Sequence, residues 1–315
     1  MMPQHRPAAG EIAVLFPGQG SQRVGMGDWL FREVPEMGEI LGALSEAAGR
    51  DIRTLCARGP LQVLSDTRYT QPAVFAVGIA GYLYLAHLGV SVAAFAGHSV
   101  GEITALCAAG ALTTGQAAAL VCERGRLMAS APGNGQMARI TTLDRAQVQR
   151  CCEDSAVAGQ VVIAVQNGPD DHVVSGDAAA VGMCCDISRD RGARYTGRLR
   201  TSHAFHSPLM EPAVAGWQRA AESVVMEPLS APVILNVTAE VTADPQRVRW
   251  GMLQQLTRPV EWWTTMRALA ALGVGTAVTC ETGSYLGVLA RNCGLRPVSF
   301  TDPRRVHELS LASAS

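Results

Sequence analysis

The feature that most constrains the fold of this chain is a turn at residues 95–102, which reads Phe-Ala-Gly-His-Ser-Val-Gly-Glu. Its Gly-x-Ser-x-Gly pattern is typical of a nucleophile elbow, a tight strand-to-helix turn that exposes a serine hydroxyl. A Cβ atom at Gly97 or Gly101 would collide with the neighbouring strand or helix. The pattern therefore predicts an α/β fold with Ser99 at a helix N-terminus, where free N–H groups favour developing negative charge.

Composition limits the classes of function to be considered. The 315 residues, 48% of them hydrophobic, suit one large α/β domain or two smaller ones. A formal net charge of −1 argues against a nucleic acid or an anionic membrane as a partner recognised by bulk charge. The nine cysteines lack metal-site spacing and no export signal is found, so we expect no metal and a reducing, cytoplasmic environment.

An almost continuously apolar stretch, residues 72–97, imitates a membrane span. Glycines and polar residues interrupt it, whereas a span needs about 20 predominantly apolar residues. We therefore predict a buried helix at about residues 71–88, followed by a buried strand at residues 92–96 that leads into the elbow.

The order of the predicted elements indicates two units. A first strand at residues 11–16 belongs to the larger unit, and residues 136–201 follow the order βαββαβ, which is typical of a ferredoxin-like subdomain. The sequence therefore predicts an α/β-hydrolase-like large subdomain at residues 11–133 and 203–305. A ferredoxin-like small subdomain at residues 134–202 is inserted into it.

A serine at an elbow needs a general base, and two histidines are candidates. His203 and His206 both lie in the loop where the chain returns to the larger unit, and spacing alone leaves the choice between them open. No Asp or Glu stands out as a third member, so we expect a backbone carbonyl to orient the imidazole. The Val100 N–H and a donor from the loop at Gln19 are the natural pair for the oxyanion.

Arg124 is a polar residue within an otherwise apolar helical segment, 25 positions after Ser99. One interpretation is a structural ion pair with Glu102 or Glu123. The other is a bidentate clamp for a substrate carboxylate. The residue types alone leave both interpretations open.

Several segments together resemble the malonyl-CoA:acyl-carrier-protein transacylases and the acyltransferase domains of polyketide synthases. The similarity covers nearly the whole chain and includes the βαββαβ insertion. The segments that carry it are residues 16–22, 70–72, 97–102, 123–125, 202–210 and 255–262. The resemblance implies ping-pong transfer of an acyl group from coenzyme A to a serine, and then to the phosphopantetheine thiol of an acyl carrier protein.

The resemblance also implies roles for individual residues. Ser99 would be the nucleophile, His206 its base, and the backbone carbonyl of Gln255 the group that orients the imidazole. Gln19 and Val100 would supply the oxyanion N–H groups. The substrate-binding residues would be Arg124, which binds the malonyl carboxylate, with Phe205, Gln71, Met137 and Asn167. In the polyketide enzymes, the sequence His-Ala-Phe-His, found here at residues 203–206, goes with malonyl, and the ring of Phe205 would fill the space that an α-methyl group needs.

Partners follow from the same resemblance. It implies malonyl-CoA as the acyl donor, no permanently bound cofactor, an acidic carrier protein as partner, and a monomer. We expect a basic docking face on the small subdomain, at Arg189, Arg191 and Arg194.

One departure from the family pattern is Arg139, which shares a strand face with Met137. It either contacts the phosphate of the incoming thioester or an unusual acyl group, or it is a solvated side chain at a strand edge.

Other functions are compatible with these motifs. The chain could be the malonyl-transferring subunit of a malonate decarboxylase, or it could move an unusual acyl group between two carrier proteins. A third alternative is hydrolysis of carrier-protein thioesters. Arg124 argues against hydrolysis of a neutral acyl group, because a buried guanidinium facing an alkyl chain would be unpaired.

Overall fold

A computed structural model describes residues 11–133, 135–201 and 203–313 of the chain, with side chains described as far as residue 311. The predicted subdomain boundaries at residues 134 and 202 lie outside the described residues. Within them the chain forms one sheet of six strands and one of four. The strands are β1 (Glu11–Phe16), β2 (Ala94–Gly97), β3 (Gly135–Thr141), β4 (Val161–Gly168), β5 (Asp171–Asp177), β6 (Tyr195–Arg198), β7 (Val233–Ile234), β8 (Val241–Thr242), β9 (Val274–Thr279) and β10 (Arg296–Ser299).

Helices pack around both sheets. They are α1 (Leu30–Glu33), α2 (Met37–Ala48), α3 (Ile52–Arg58), α4 (Leu61–Leu64), α5 (Thr67–His87), α6 (Gly101–Ala108), α7 (Thr114–Ala129), α8 (Arg145–Asp154), α9 (Ala178–Asp190), α10 (Glu211–Glu222), α11 (Pro245–Gln254), α12 (Trp262–Ala271), α13 (Tyr285–Asn292) and α14 (Pro303–Ser313). The chain is thus a mixed α/β fold, α/β-hydrolase-like with a small subdomain, as predicted.

The six-stranded sheet brings three loops to one edge. Its strand order is β10-β9-β1-β2-β7-β8, and β1 runs parallel to both β2 and β9. Strand β7 is also parallel to β2, so the loops after β1, β2 and β7 leave the sheet on the same side. Ligands of open α/β sheets bind at this carboxyl edge. The elbow after β2 therefore has the loop after β1 on one side and the loop after β7 on the other.

Helix α5 accounts for the long apolar stretch. It begins at Thr67, earlier than predicted, because the Asp66 side chain accepts the Arg68 N–H and caps it, and Pro72 lies inside it. Fourteen of its 21 residues are buried, since it packs against α2, α6 and α7. Across the ranges that the structure describes, every helix is too short or too polar to cross a membrane.

The four-stranded sheet has the order β4-β5-β3-β6 with antiparallel pairing, which confirms the ferredoxin-like prediction. Alternation along β3 separates its two faces. Ala138 and Ile140 pack on α8 and α9 in a core of their own, whereas Met137 joins the core of the six-stranded unit. The Met137 face therefore turns toward the elbow side of the molecule.

The free edge of the small sheet is joined to the larger unit. Val165 of β4 forms a parallel bridge with Val260, in which the Val260 N–H donates to Ala164 O at 2.9 Å and the Gln166 N–H donates to Val260 O at 2.9 Å. Beside this bridge, Arg145 of α8 forms a two-point ion pair with Glu261, at 2.8 and 2.9 Å. The segment that follows Gln255 is thus held by the small sheet.

Candidate active site

The elbow is as tight as its glycines suggested. A Cβ atom on Gly97 would lie 1.9 Å from the Gly101 carbonyl group, and one on Gly101 would lie 2.5 Å from Phe16 O. Both distances are far inside van der Waals contact, so the predicted collisions are confirmed. Ser99 has a φ of +54°, a left-handed conformation that costs a residue with a side chain about 1–2 kcal/mol. The turn places its hydroxyl beside the loop from residue 203 to residue 210.

Ser99 and His206 form a hydrogen-bonded pair. The Ser99 Oγ lies 2.7 Å from His206 Nε2, and His206 Nδ1 lies 2.9 Å from the backbone oxygen of Gln255. A carbonyl can only accept, so the proton is on Nδ1 and Nε2 is free to accept the serine proton. No carboxylate takes part in this chain of contacts, in agreement with the expectation that a backbone carbonyl orients the ring.

His206 is held in its neutral form by its surroundings. Burial lowers its pKa to about 3, and the positive charge of Arg124 acts in the same direction, while the hydrogen bond with the Gln255 carbonyl raises it. A neutral imidazole at neutral pH can act as a base. His203, the other candidate, stacks on the Phe205 ring with centroids 6.0 Å apart. The geometry therefore favours His206 as the partner of Ser99.

Arg124 lies beside the serine with its side chain fully buried. Its Nη1 donates to Gln71 Oε1 at 3.0 Å and its Nη2 donates to Ser99 Oγ at 3.2 Å. Burial lowers the pKa of Arg124 to about 9, and the charge of Glu102 raises it. Within the described part of the chain no carboxylate comes within ion-pair distance of Arg124; Glu123 pairs with Arg126, and Glu102 Oε2 accepts the Asn236 N–H. The structural ion pair is therefore absent, and a buried cation faces the reactive hydroxyl.

Two backbone N–H groups are available for an oxyanion. Val100 precedes the first residue of α6, and neither its N–H nor that of Gln19 has an acceptor among the residues described. The Gln19 loop is anchored by a hydrogen bond from Gln19 Nε2 to Thr67 Oγ1 at 3.1 Å. It also packs closely on the elbow, since a Cβ atom on Gly18 would lie 2.7 Å from His98 O. The predicted pair therefore stands on adjacent loops.

Sequence reasoning missed Asn236. Its Oδ1 accepts the Ser99 N–H at 2.7 Å and its Nδ2 donates to Gly97 O at 2.6 Å, so it bridges the two sides of the elbow. The signal that could have found it is topological: Asn236 follows a strand that pairs with β2, at the carboxyl edge of the sheet.

The small subdomain contributes Asn167 and Met137. Asn167 is buried, its Oδ1 lies 3.4 Å from His98 Nε2, and its Nδ2 has no hydrogen-bond partner within the described ranges. Met137 is buried on the face of β3 that turns toward the large core. Phe205 is also buried, directly before His206. Their contacts with a substrate stay predictions.

The predicted docking arginines differ in their pairing. Arg189 forms an ion pair with Asp186 at 2.7 Å, and Arg191 forms one with Asp154. Arg194 is exposed and has no carboxylate partner within residues 135–201 or the other described ranges. Two of the three side chains therefore have their charge balanced by a neighbour on the small subdomain.

Arg139 has a partner as well. It forms a two-point ion pair with Asp171, at 2.7 and 2.8 Å. Strand β3 lies between β5 and β6, so Arg139 is not on an edge strand, but its side chain is 40% exposed to solvent, as the second interpretation expected. As for metals, the side chains that the structure describes include no group of three His, Cys, Asp or Glu residues that could hold an ion.

Comparison with known proteins decides the family. Residues 14–279 match the profile described as the acyl transferase domain. The chain belongs to this family. A solved structure described as a type II PKS acyl-carrier protein in complex with its malonyl-transacylase matches this acyltransferase with a TM-score of 0.91 and 30% identity. The match covers 96% of the acyltransferase and 100% of that chain.

Curated relatives fall into two size classes. The malonyl CoA-acyl carrier protein transacylase of Bacillus subtilis is 32% identical over 301 residues, which cover 94% of the acyltransferase and 95% of that relative. The spectinabilin polyketide synthase system protein NorB of Streptomyces orinoci is 38% identical over 298 residues, 90% of this chain. The acyltransferase spans only 13% of the length of NorB.

Proposed function

We propose that this acyltransferase moves a malonyl group from coenzyme A, through an ester on Ser99, to the phosphopantetheine thiol of an acyl carrier protein. The observation that carries the proposal is the position of Arg124, which is buried 3.2 Å from Ser99 Oγ with no carboxylate partner among the described residues. A desolvated guanidinium next to the reacting atom favours a substrate that carries its own carboxylate. Fatty acid or polyketide biosynthesis is the corresponding pathway class.

The first half-reaction uses the Ser99–His206 pair. His206 Nε2 takes the hydroxyl proton as Ser99 Oγ attacks the thioester carbonyl of malonyl-CoA, and the N–H groups of Val100 and Gln19 stabilise the oxyanion. When the C–S bond breaks, the proton passes from His206 to the departing thiolate. The Gln255 carbonyl, 2.9 Å from Nδ1, keeps the imidazole in the required tautomer and orientation.

The second half-reaction reverses the first with a different thiol. The phosphopantetheine thiol of the carrier gives its proton to His206 and attacks the Ser99 ester, and the serine then recovers the proton. The malonyl-transacylase complex among the similar structures, and the transacylase among the relatives, support a carrier protein as acceptor. Neither half-reaction requires a bound cofactor.

Specificity for malonyl would come from a small set of buried side chains. Arg124 would bind the free carboxylate, and Gln71 Oε1, which accepts from Arg124 Nη1 at 3.0 Å, would hold the guanidinium in place. Phe205 would limit the space at the α-carbon. Asn167 and Met137 would line the small-subdomain side, where Asn167 Nδ2 is buried without a protein acceptor in the described ranges.

Docking of an acidic carrier would use the edge of the small subdomain. Because Arg189 and Arg191 already pair with carboxylates, we assign the larger share of the attraction to Arg194. The subdomain division at residues 134 and 202, a monomeric state and a cytoplasmic location complete the proposal. The nine unpaired cysteines fit a reducing compartment.

The test is mass spectrometry of the protein after incubation with malonyl-, methylmalonyl- and acetyl-CoA. We expect a malonyl ester on Ser99 that persists until a phosphopantetheinylated carrier is added, and no ester in Ser99→Ala. Rapid loss of the ester to water would identify a hydrolase. An ester formed only from an acyl carrier would identify a carrier-to-carrier transferase. Transfer to the prosthetic group of a malonate decarboxylase, and not to the phosphopantetheine carrier, would identify the remaining alternative.

A further inference from the structure

The peptide planes of the elbow are held from three sides. Ser99 donates its N–H to Asn236 Oδ1 at 2.7 Å, and Gly97 O accepts from Asn236 Nδ2 at 2.6 Å. The carbonyl oxygen of Ser99 accepts from Gln255 Nε2 at 3.1 Å and from the Glu102 N–H at 3.0 Å. Three consecutive peptide units, from Gly97 to Val100, are thus fixed, and one side chain fixes two of them.

Asn236 is itself fully constrained. Its backbone N–H donates to Glu102 Oε2 at 2.9 Å, and its backbone oxygen accepts the Glu261 N–H at 2.8 Å. The side chain is buried, and only one orientation of its amide satisfies both neighbours, because Ser99 N–H can only donate and Gly97 O can only accept. A left-handed residue such as Ser99 keeps its conformation only where the surroundings determine it.

We infer that Asn236 is a positioning residue, whose side-chain amide clamps the nucleophile elbow so that Ser99 Oγ meets His206 and the Val100 N–H faces the oxyanion. Because Asn236 occupies the Ser99 N–H, the serine's own amide is not available to the oxyanion. Because the Ser99–Val100 peptide is trans, the bonds to Ser99 O point the Val100 N–H to the opposite side. The inference rests on the proposed role of Ser99 as the nucleophile.

If Asn236 positions the elbow, its replacement should lower the turnover number and leave binding of the acyl donor unchanged. The hydrogen bonds of Asn236 go to the elbow and to Glu102 and Glu261, and not to Arg124 or Gln19, so we expect the groups that would bind malonyl-CoA to stay in place when it is replaced. A displacement of the reacting atoms by about 1 Å costs on the order of 100-fold in rate. We therefore expect Asn236→Ala to lower kcat about 100-fold, with a KM for malonyl-CoA within about three-fold of wild type.

A second variant separates positioning from folding. In Asn236→Asp, an ionised carboxylate still accepts the Ser99 N–H but cannot donate to Gly97 O, and it lies close to the buried carboxyl group of Glu102, whose pKa the Asn236 side chain lowers. When protonated, the introduced carboxyl group can again accept and donate. Burial and Glu102 both raise its pKa, so activity should be present at acidic pH and should fall as pH rises through that pKa. The wild-type profile is the reference, because burial raises the pKa of Glu102 to about 7 and places its titration in the same range, whereas the pKa of His206 is lowered to about 3.

The experiment measures the burst of malonyl-Ser99 formation and steady-state kcat and KM, between pH 5 and 8, for wild type and both variants. Asn292→Ala, an exposed asparagine at the end of α13, is the control and should match wild type. If Asn236→Ala is too unstable to assay, the pH profile of Asn236→Asp decides alone. A kcat within about three-fold of wild type, a loss confined to KM, or an Asn236→Asp profile without acid rescue would overturn the inference. If wild type gains no ester on Ser99, the proposed function fails as well.

Discussion

Removal of the buried guanidinium should change which acyl group the enzyme accepts. In Arg124→Ala, a malonyl carboxylate would enter a buried site without its cation. Loss of one partner of a buried charge pair costs about 2–5 kcal/mol, which corresponds to roughly 30-fold to 5,000-fold in kcat/KM for malonyl-CoA. Acetyl-CoA has no carboxylate to lose, so its kcat/KM should change much less.

Replacement of Arg124 should also slow acylation by both donors to a similar extent. Arg124 Nη2 donates to Ser99 Oγ at 3.2 Å, so its removal alters the nucleophile whichever acyl group is bound. A single hydrogen bond of this kind contributes about 1.5–3 kcal/mol, and Arg124→Met limits any additional effect of an empty cavity. The diagnostic quantity is therefore the ratio of malonyl to acetyl kcat/KM, in which the common loss cancels.

The assay is single-turnover acylation of Ser99 with each donor, followed by mass spectrometry. Arg126→Ala is the matched control, because Arg126 lies on the same helix but is exposed and pairs with Glu123. It should leave the ratio within about three-fold of wild type. Equal losses of kcat/KM for malonyl-CoA and acetyl-CoA in both Arg124 variants would refute binding of the carboxylate by Arg124, and would assign Arg124 a structural role only.

Three further predictions concern the pH response, the elbow and the docking face. Burial raises the pKa of Glu102 to about 7, so its folded form holds a proton that the unfolded chain releases. This group contributes stability that is fully present below pH 4.5 and is lost as pH rises through 7. Urea titrations should show this fall in the free energy of unfolding for wild type and not for Glu102→Gln. Gly101→Ala should lower the free energy of unfolding by about 1–3 kcal/mol or more, because its Cβ atom would meet Phe16 O. The control is Gly115→Ala in α7, where nothing lies near the added Cβ atom. This change should raise the free energy of unfolding by about 0.5–1 kcal/mol. Similar results for both variants would contradict the packing argument. Arg194→Glu should raise KM for an acidic carrier with KM for malonyl-CoA unchanged, whereas Arg304→Glu on α14 should change neither; an unchanged carrier KM removes Arg194 from the docking face.

The parts of the fold that sequence predicted are those with local signals. The elbow was recognisable because Gly97 and Gly101 are required by contacts within a few residues, and the small subdomain because its strands and helices alternate regularly. Helix α5 was placed only approximately, since burial on all sides removes the period that would mark its start. Strands β8 and β10 were not predicted, because strands of two to four residues carry too short a pattern, and helices α13 and α14 were not predicted either.

Only those site residues could be predicted that have a characteristic residue type or a match to the family motifs. Spacing left His203 and His206 equivalent, and the 2.7 Å contact with Ser99 that separates them depends on tertiary structure. The same holds for Asp154, which pairs with Arg191 from the facing helix, whereas Asp186 pairs with Arg189 three residues away on the same helix. Asn236 lies 137 positions from Ser99, so only the pairing of β2 with β7 brings them together.

The bridge between Val165 and Val260 limits how this enzyme could be recombined with its relatives. The segment that begins at Gln255, whose carbonyl orients His206, continues as a partner of the small sheet. A chimera that exchanges residues 135–201 alone would pair a foreign edge strand with a native segment, and would separate Arg145 from a matched Glu261. Exchange of residues 135–201 together with 255–261 keeps both sides of that contact from one parent. The unit of modular exchange in this chain is therefore discontinuous in sequence.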